Sequence, residues 1–223
     1  MVLTHASVKL IWGCEPDVDI RMNGAEHLKV TALRLFAQRG IDGVTIREIA
    51  QAAGHKNHGI VKYYFGSKED LVRQIVVDGA RLIDERRNRW LDKVEADGGP
   101  EAVYQVIEGL VITSLDPSAP LGGEYYNSFV FLLSKSHRTL FMDALGGKWN
   151  SGYLRCLDHV RRLMPGLSEK EINQRFVFMG LALGSIIASR EHELSDQTRE
   201  HRMWADPATI TKVSRALTAM IVY

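Results

Sequence analysis

From Leu28 to Leu71 the apolar side chains recur at spacings of three and four in short bursts, and glycine closes each burst in turn, at Gly40, Gly54 and Gly66. That spacing is the period of an amphipathic helix, and glycine just past the last periodic residue is a helix stop. The first burst, read from Ile20 onward, carries Leu28, Ala32, Leu35 and Phe36. The second opens at Thr45, with Glu48 three positions later, the reciprocal arrangement of a capping box. After the turn His55-Lys56-Asn57, residues 58–64 suffice for two helical turns. Ser67 then caps a fourth and longer helix, with Glu69 and Asp70 near its positive end. Leu71, Ile75, Ala80, Leu82, Ile83, Trp90, Leu91 and Val94 sustain it until Asp97-Gly98-Gly99-Pro100.

The rest of the chain has the same grammar. Helices are expected over residues 101–115, 124–134, 138–145, 148–164, 168–189 and 207–222. The breaks fall at Asp116-Pro117, Gly122-Gly123, Gly146-Gly147, Pro165-Gly166 and Asp206-Pro207. No window alternates as a strand would, and no repeat is visible, so the fold class is all-α. Residues 1–19 show no period and read as a flexible arm. Residues 20–66 form a small helical unit, and residues 67–223 a larger one.

Charge divides along the same line. The whole chain is formally +1, but Arg21 to Gly66 holds seven Lys and Arg against three Asp and Glu, a local +4. A basic small unit on a nearly neutral remainder suits one polyanion-facing part and one part with another task. Cys14 and Cys156 stand alone, without a CxxC or Cys/His pairing, so no metal site and no disulfide framework is expected, and a reducing cytoplasm is the simplest compartment. The first twenty residues do not read as a signal peptide, and the apolar stretch from Phe176 to Ala188 is shorter than the about 20 residues a bilayer span needs, so no membrane association is expected. Enzyme signatures are missing as well. His192-Glu193 is followed by Asp196 where a zinc-protease helix needs a second histidine, and there is no GxSxG and no phosphate-binding glycine loop. No catalytic residue and no cofactor is expected.

Two short helices joined by a tight turn and flanked by a helix on each side are the sequence form of a DNA-binding helix-turn-helix, whose second short helix enters the major groove. The segments Ala32 to Gly40, Val44 to Gly54 and Tyr63 to Leu71 occur in an order and at a spacing that resemble the tetracycline-repressor (TetR) family. The resemblance spans roughly residues 25 to 72. It implies an all-helical homodimer that binds double-stranded operator DNA through its first three helices, with a small-molecule pocket behind them. It further implies that the last two long helices build a four-helix dimer bundle. Two departures stand out: ten residues rather than nine separate Gly54 from Phe65, and Lys62 and Tyr63 replace the aromatic hydroxyl and histidine usual there.

On this reading Thr45, Arg47 and Lys68 meet phosphate, with Tyr63 and Tyr64 beside them, since hydroxyls and cations both donate to it. Lys56, Asn57, His58 and Lys62 are the candidates for base edges, with His58 and Lys62 four apart on one face. Trp90, Tyr104, Tyr126, Phe129, Trp149, Tyr153 and Phe176 are the candidate lining of a pocket for a largely apolar or aromatic effector. Gly180, Gly184 and Ala188 make a smooth stripe that, with Ile210, Val213 and Leu217, is assigned to the dimer contact. The function expected is that of a repressor released from its operator by the effector. Control by a protein partner, or a helical enzyme, are the alternatives.

Overall fold

The computed structural model describes residues 24–115 and 124–223; the arm expected over residues 1–19 lies outside them. Eleven helices and no strand occur among the described residues. They are α1 (Gly24–Arg39), α2 (Ile46–Ala52), α3 (Ile60–Phe65), α4 (Lys68–Ala96), α5 (Val103–Ser114), α6 (Tyr126–Ser136), α7 (Arg138–Leu145), α8 (Ser151–Leu163), α9 (Glu169–Ser195), α10 (Arg202–Ala205) and α11 (Ala208–Val222). The fold is all-α, as expected.

Local chemistry sets most boundaries. Gly40 takes φ 71° and its N–H reaches back to the Phe36 carbonyl at 2.9 Å, ending α1 where a side chain would be strained. The Thr45 box forms: Thr45 Oγ1 accepts from the Glu48 amide at 3.2 Å, and the Glu48 carboxylate accepts from the Thr45 amide at 2.8 Å. Ser67 Oγ likewise accepts from the Asp70 amide at 3.0 Å. α4 is 29 residues long, about 44 Å at the helical rise. α9 runs six residues past the expected end at Ser189, to Ser195. Its extension is held from inside, because Glu191 is 4% exposed and hydrogen-bonded to α6. The single turn α10 has no periodicity long enough to anticipate.

Two apolar cores form. The first joins α1, α2 and α3 to the front of α4 and to α6: Leu28, Phe36, Ile49, Val61, Leu71 and Ile75 pack with Tyr126, Phe129 and Leu133. The second gathers Leu91, Ile107, Leu110, Cys156, Phe176, Met179, Leu217 and Ile221 from α4, α5, α8, α9 and α11. Burying each such side chain contributes about 1.5–3 kcal/mol. A division after residue 66 is therefore one of task; the first core runs straight across it.

Between the cores lies a polar layer. Arg87 donates to Thr113 Oγ1 (3.1 Å) and Ser114 Oγ (2.9 Å) at the end of α5. Asn127 Nδ2 donates to the Ser114 carbonyl (3.2 Å) and to Glu191 Oε1 (2.7 Å). Buried polar groups are tolerated when their partners are present, and here each helix end supplies one.

The small-residue stripe expected at the dimer contact also meets helices of its own subunit, with Gly180 and Gly184 half-buried. A Cβ added at Gly180 would fall 3.0 Å from the Tyr153 hydroxyl, and one at Gly184 3.9 Å from Phe131 Cδ2. The Ala188 carbonyl accepts from Ser128 Oγ at 3.0 Å. Leu217 is 1% exposed, and Ile210 and Val213 pack against the second core. Smallness at these positions lets α6 and α8 approach α9 closely, which is what a stripe without side chains permits wherever it faces. The exposed apolar residues of α9 are instead Val177, Phe178 and Leu181. By length and composition α9 passes for a membrane span, although a third of its apolar window is buried within the subunit.

Candidate nucleic-acid interface

Inward residues fix the two short helices. Ile49 and Ala50 of α2 are fully buried, as is Val61 of α3, with Phe65 at 6%. The opposite face then has to point outward. Thr45, Arg47, Lys56, Asn57, His58, Lys62, Tyr63 and Tyr64 are all exposed, Tyr63 at 80%. The Tyr63 and Tyr64 rings meet edge to face, 5.1 Å between centroids.

The turn before α3 explains the additional residue. α2 ends as Gly54 takes φ 76°, and the His55 amide caps the Ala50 carbonyl at 2.9 Å. Asn57 Oδ1 then accepts from the Gly59 amide at 2.9 Å, a side-chain turn that absorbs the insertion. The Asn57 side-chain oxygen thereby shapes the loop. α3 begins only at Ile60, so His58 sits in the turn ahead of it, and the expected helical pairing of His58 with Lys62 does not form.

Lys68 has a different setting from the other candidates. It is half-buried, and its amine donates to the carbonyls of Ile41 (3.1 Å) and Val44 (3.2 Å). This ties the α1–α2 turn to the start of α4. Hydrogen bonds from a charged group contribute about 1.5–3 kcal/mol, so Lys68→Ala is expected to lower the melting temperature measurably, independent of any DNA. A mutant that melts like the wild type would return Lys68 to a purely surface role.

The surface also carries few opposing charges. Arg39 pairs with Glu48 at 2.5 Å, and its hydrogen bond, with those from Thr45, holds the Glu48 carboxyl down at about 2. The cap's electrostatic contribution is thus present above the ordinary carboxylate range and is lost only as pH falls toward about 2. Lys29 anchors α1 to α4 through Asp78 (2.6 Å) and to Glu26 (2.7 Å). Burial works against its charge, but the two carboxylates outweigh it and keep the amine above the usual lysine range. Asp42, in the α1–α2 turn, lies 3.3 Å from His137 at the α6–α7 junction.

The expected pocket residues do not gather around one cavity. Tyr126 and Phe129 belong to the first core, where Phe129 stacks on Phe36 with centroids 6.0 Å apart. Tyr153 and Phe176 meet edge to face in the second, at 4.9 Å, and Trp90 lies over Gly109 beside them. Tyr104 donates to Glu108 at 2.6 Å, and Trp149 stands in the α7–α8 turn at φ 61°. A separate open cleft of about 220 Å³ lies where Ala37 of α1 meets Phe131 of α6 and Ser185, Ser189 and His192 of α9. Among the described residues no group of three His, Cys, Asp or Glu is placed to hold a metal.

Residues 30–75, from within α1 through α2 and α3 to the start of α4, match the family described as bacterial regulatory proteins, tetR family. That match is confined to the head and the start of α4. The chain is also similar to the HTH-type transcriptional repressor KstR2 of Mycobacterium tuberculosis, 27% identical over 135 residues. That match covers 56% of this chain and 66% of KstR2, just under two thirds of the relative's length. In fold the head and the helices behind it resemble the fatty acid degradation regulator FadR from Bacillus halodurans. The TM-score is 0.55 at 18% identity, covering 91% of this chain and 98% of that one.

Sequence reasoning missed Glu191, which holds the start of α6 through bonds to backbone amides and stands in no motif; it named Asn57 in the turn and as a base-edge candidate but not its bond to the Gly59 amide. An Asn two residues before a glycine is a turn signal that could have been read.

Proposed function

We propose that this chain is a homodimeric, ligand-responsive transcriptional regulator, and that it represses by holding operator DNA. The observation that carries the reading is the outward face of α2, its turn and α3, where cations, a carboxamide and phenols are exposed together while the inward face is fully packed. Thr45, Arg47, Tyr63 and Tyr64 serve phosphate contacts in this reading, and Lys56, Asn57, His58 and Lys62 serve base edges. KstR2's description as a repressor supports the sign of the response. The head occupies residues 20–66 and the ligand-binding and dimerisation part residues 67–223, in a soluble cytoplasmic protein.

The dimer is assigned to α9 and α11 by their exposed apolar residues: Val177, Phe178 and Leu181 on one, Met220 and Val222 on the other. The two helices pair within the subunit, where Arg175 donates to the Ile221 carbonyl at 2.7 Å. The effector is a small, largely apolar or aromatic molecule, and Trp90, Tyr153 and Phe176 in the second core are the residues nearest to that chemistry. It lowers operator affinity by binding better to the conformation whose heads are wrongly spaced for DNA.

Selection of bound fragments from genomic DNA tests the proposal. A pseudo-palindrome with half-sites about one helical turn or slightly more apart should be enriched, and its affinity should fall steeply as salt rises. No enrichment of any sequence over bulk DNA would sink it.

A further inference from the structure

α4 is gripped by different partners on either side of its middle. Toward its start, Asp78 binds Lys29 of α1 and Lys68 binds the α1–α2 turn. Toward its end it is zipped to α8: Asp84 accepts from the Gly152 amide and Ser151 Oγ, both at 2.8 Å, and Arg155 donates to Asn88 (2.7 Å), Asp92 (2.9 Å) and Glu95 (2.7 Å).

Between these grips sits one aromatic ring. A Cβ added at Gly79 would fall 2.1 Å from Tyr126 Cε2, so the ring lies directly on the α4 backbone. The Tyr126 hydroxyl donates to the Val76 carbonyl at 2.8 Å, so a side chain of α6 adds a donor to a backbone group in the interior of α4. Tyr126 is also the first residue of α6, whose opening amides, Asn127 and Ser128, are bound by Glu191 of α9 at 3.1 and 2.6 Å. Three residues on, Phe129 stacks on Phe36 of the head. The ring is thus fixed to α9 on one side and to the head on the other.

We propose that Tyr126 is a positioning residue for DNA binding: seated in the notch at Gly79, with its hydroxyl on the Val76 carbonyl, it sets how α4 lies against α6 and with it the separation of the two heads in the dimer. This rests on the regulator reading above. It assigns Tyr126, a candidate for ligand contact from sequence, to geometry instead.

The test compares wild-type full-length protein with Tyr126→Phe, which keeps the ring and removes the hydroxyl, and with Gly79→Ala, which fills the notch. Each is titrated with the operator recovered by genomic selection and with duplexes whose half-sites are one base pair closer or farther. Circular dichroism and sedimentation check fold and dimer. For both variants the preference for the native spacing over its neighbours should fall at least about fivefold, the lower end of usual inter-site couplings. If only one variant folds, that variant alone decides. Parallel loss at every spacing, or no change, would show that the contact is merely structural and would overturn the proposal while leaving the regulator reading intact. Failure of the wild type to bind any duplex would overturn both.

Discussion

Glu191→Ala is expected to lower the melting temperature by roughly 10 °C. The carboxylate accepts from the Asn127 amide (3.1 Å), Asn127 Nδ2 (2.7 Å) and the Ser128 amide (2.6 Å). Removing it leaves the Asn127 and Ser128 amides at the start of α6 without their acceptor, while Asn127 Nδ2 keeps only the Ser114 carbonyl. Breaking a buried charged contact costs about 3–5 kcal/mol, and in a chain of this size each kcal/mol moves the midpoint about 2–4 °C. Because burial sets this carboxyl above the ordinary carboxylate range, part of its contribution is present below that range and is lost as pH rises through its folded pKa. The gap between mutant and wild type should therefore narrow from acid to neutral pH. Thermal melts followed by circular dichroism at two pH values measure both effects. A shift of only a degree or two would mean that water satisfies the α6 amides.

The second large effect is expected on association. Leu181 is 51% exposed on α9, beside Phe178 at 51% and Val177 at 57%. Within one subunit Leu181→Asp should be nearly neutral, because exposed positions away from caps and cores tolerate substitution within about 0.5 kcal/mol. In a two-fold interface the same change places a charge in apolar surroundings twice. Sedimentation should then show a monomer with an unchanged melting profile at low concentration. Operator affinity should drop by about 10²–10⁴-fold, the factor that linking two sites typically supplies. A Leu181→Asp protein that stays dimeric and binds normally would move the interface away from this face of α9.

What was legible in the sequence is what neighbours along the chain determine. The Thr45–Glu48 box, the Ser67 cap and the glycine stops at 40 and 54 depend on residues within four positions of each other, so spacing alone places them. The exposure of Arg47, Lys56 and Lys62 follows from the same register, since Ile49, Val61 and Phe65 take the inward side. Tertiary structure decided what each face meets. α9 is apolar on two sides, with Phe176, Met179 and Leu183 on one and Val177, Phe178 and Leu181 on another. Periodicity shows that such faces exist but not which is covered by the chain's own helices, and so the contacts of the smooth stripe at Gly180 and Gly184 with Tyr153 and Phe131 could not be read from it. The settings of Lys68, Tyr126 and Glu191 had the same origin. Each binds backbone groups 24 to 64 positions away, and a backbone carbonyl or amide is chemically identical at every residue, so only the folded chain determines which one a distant side chain reaches.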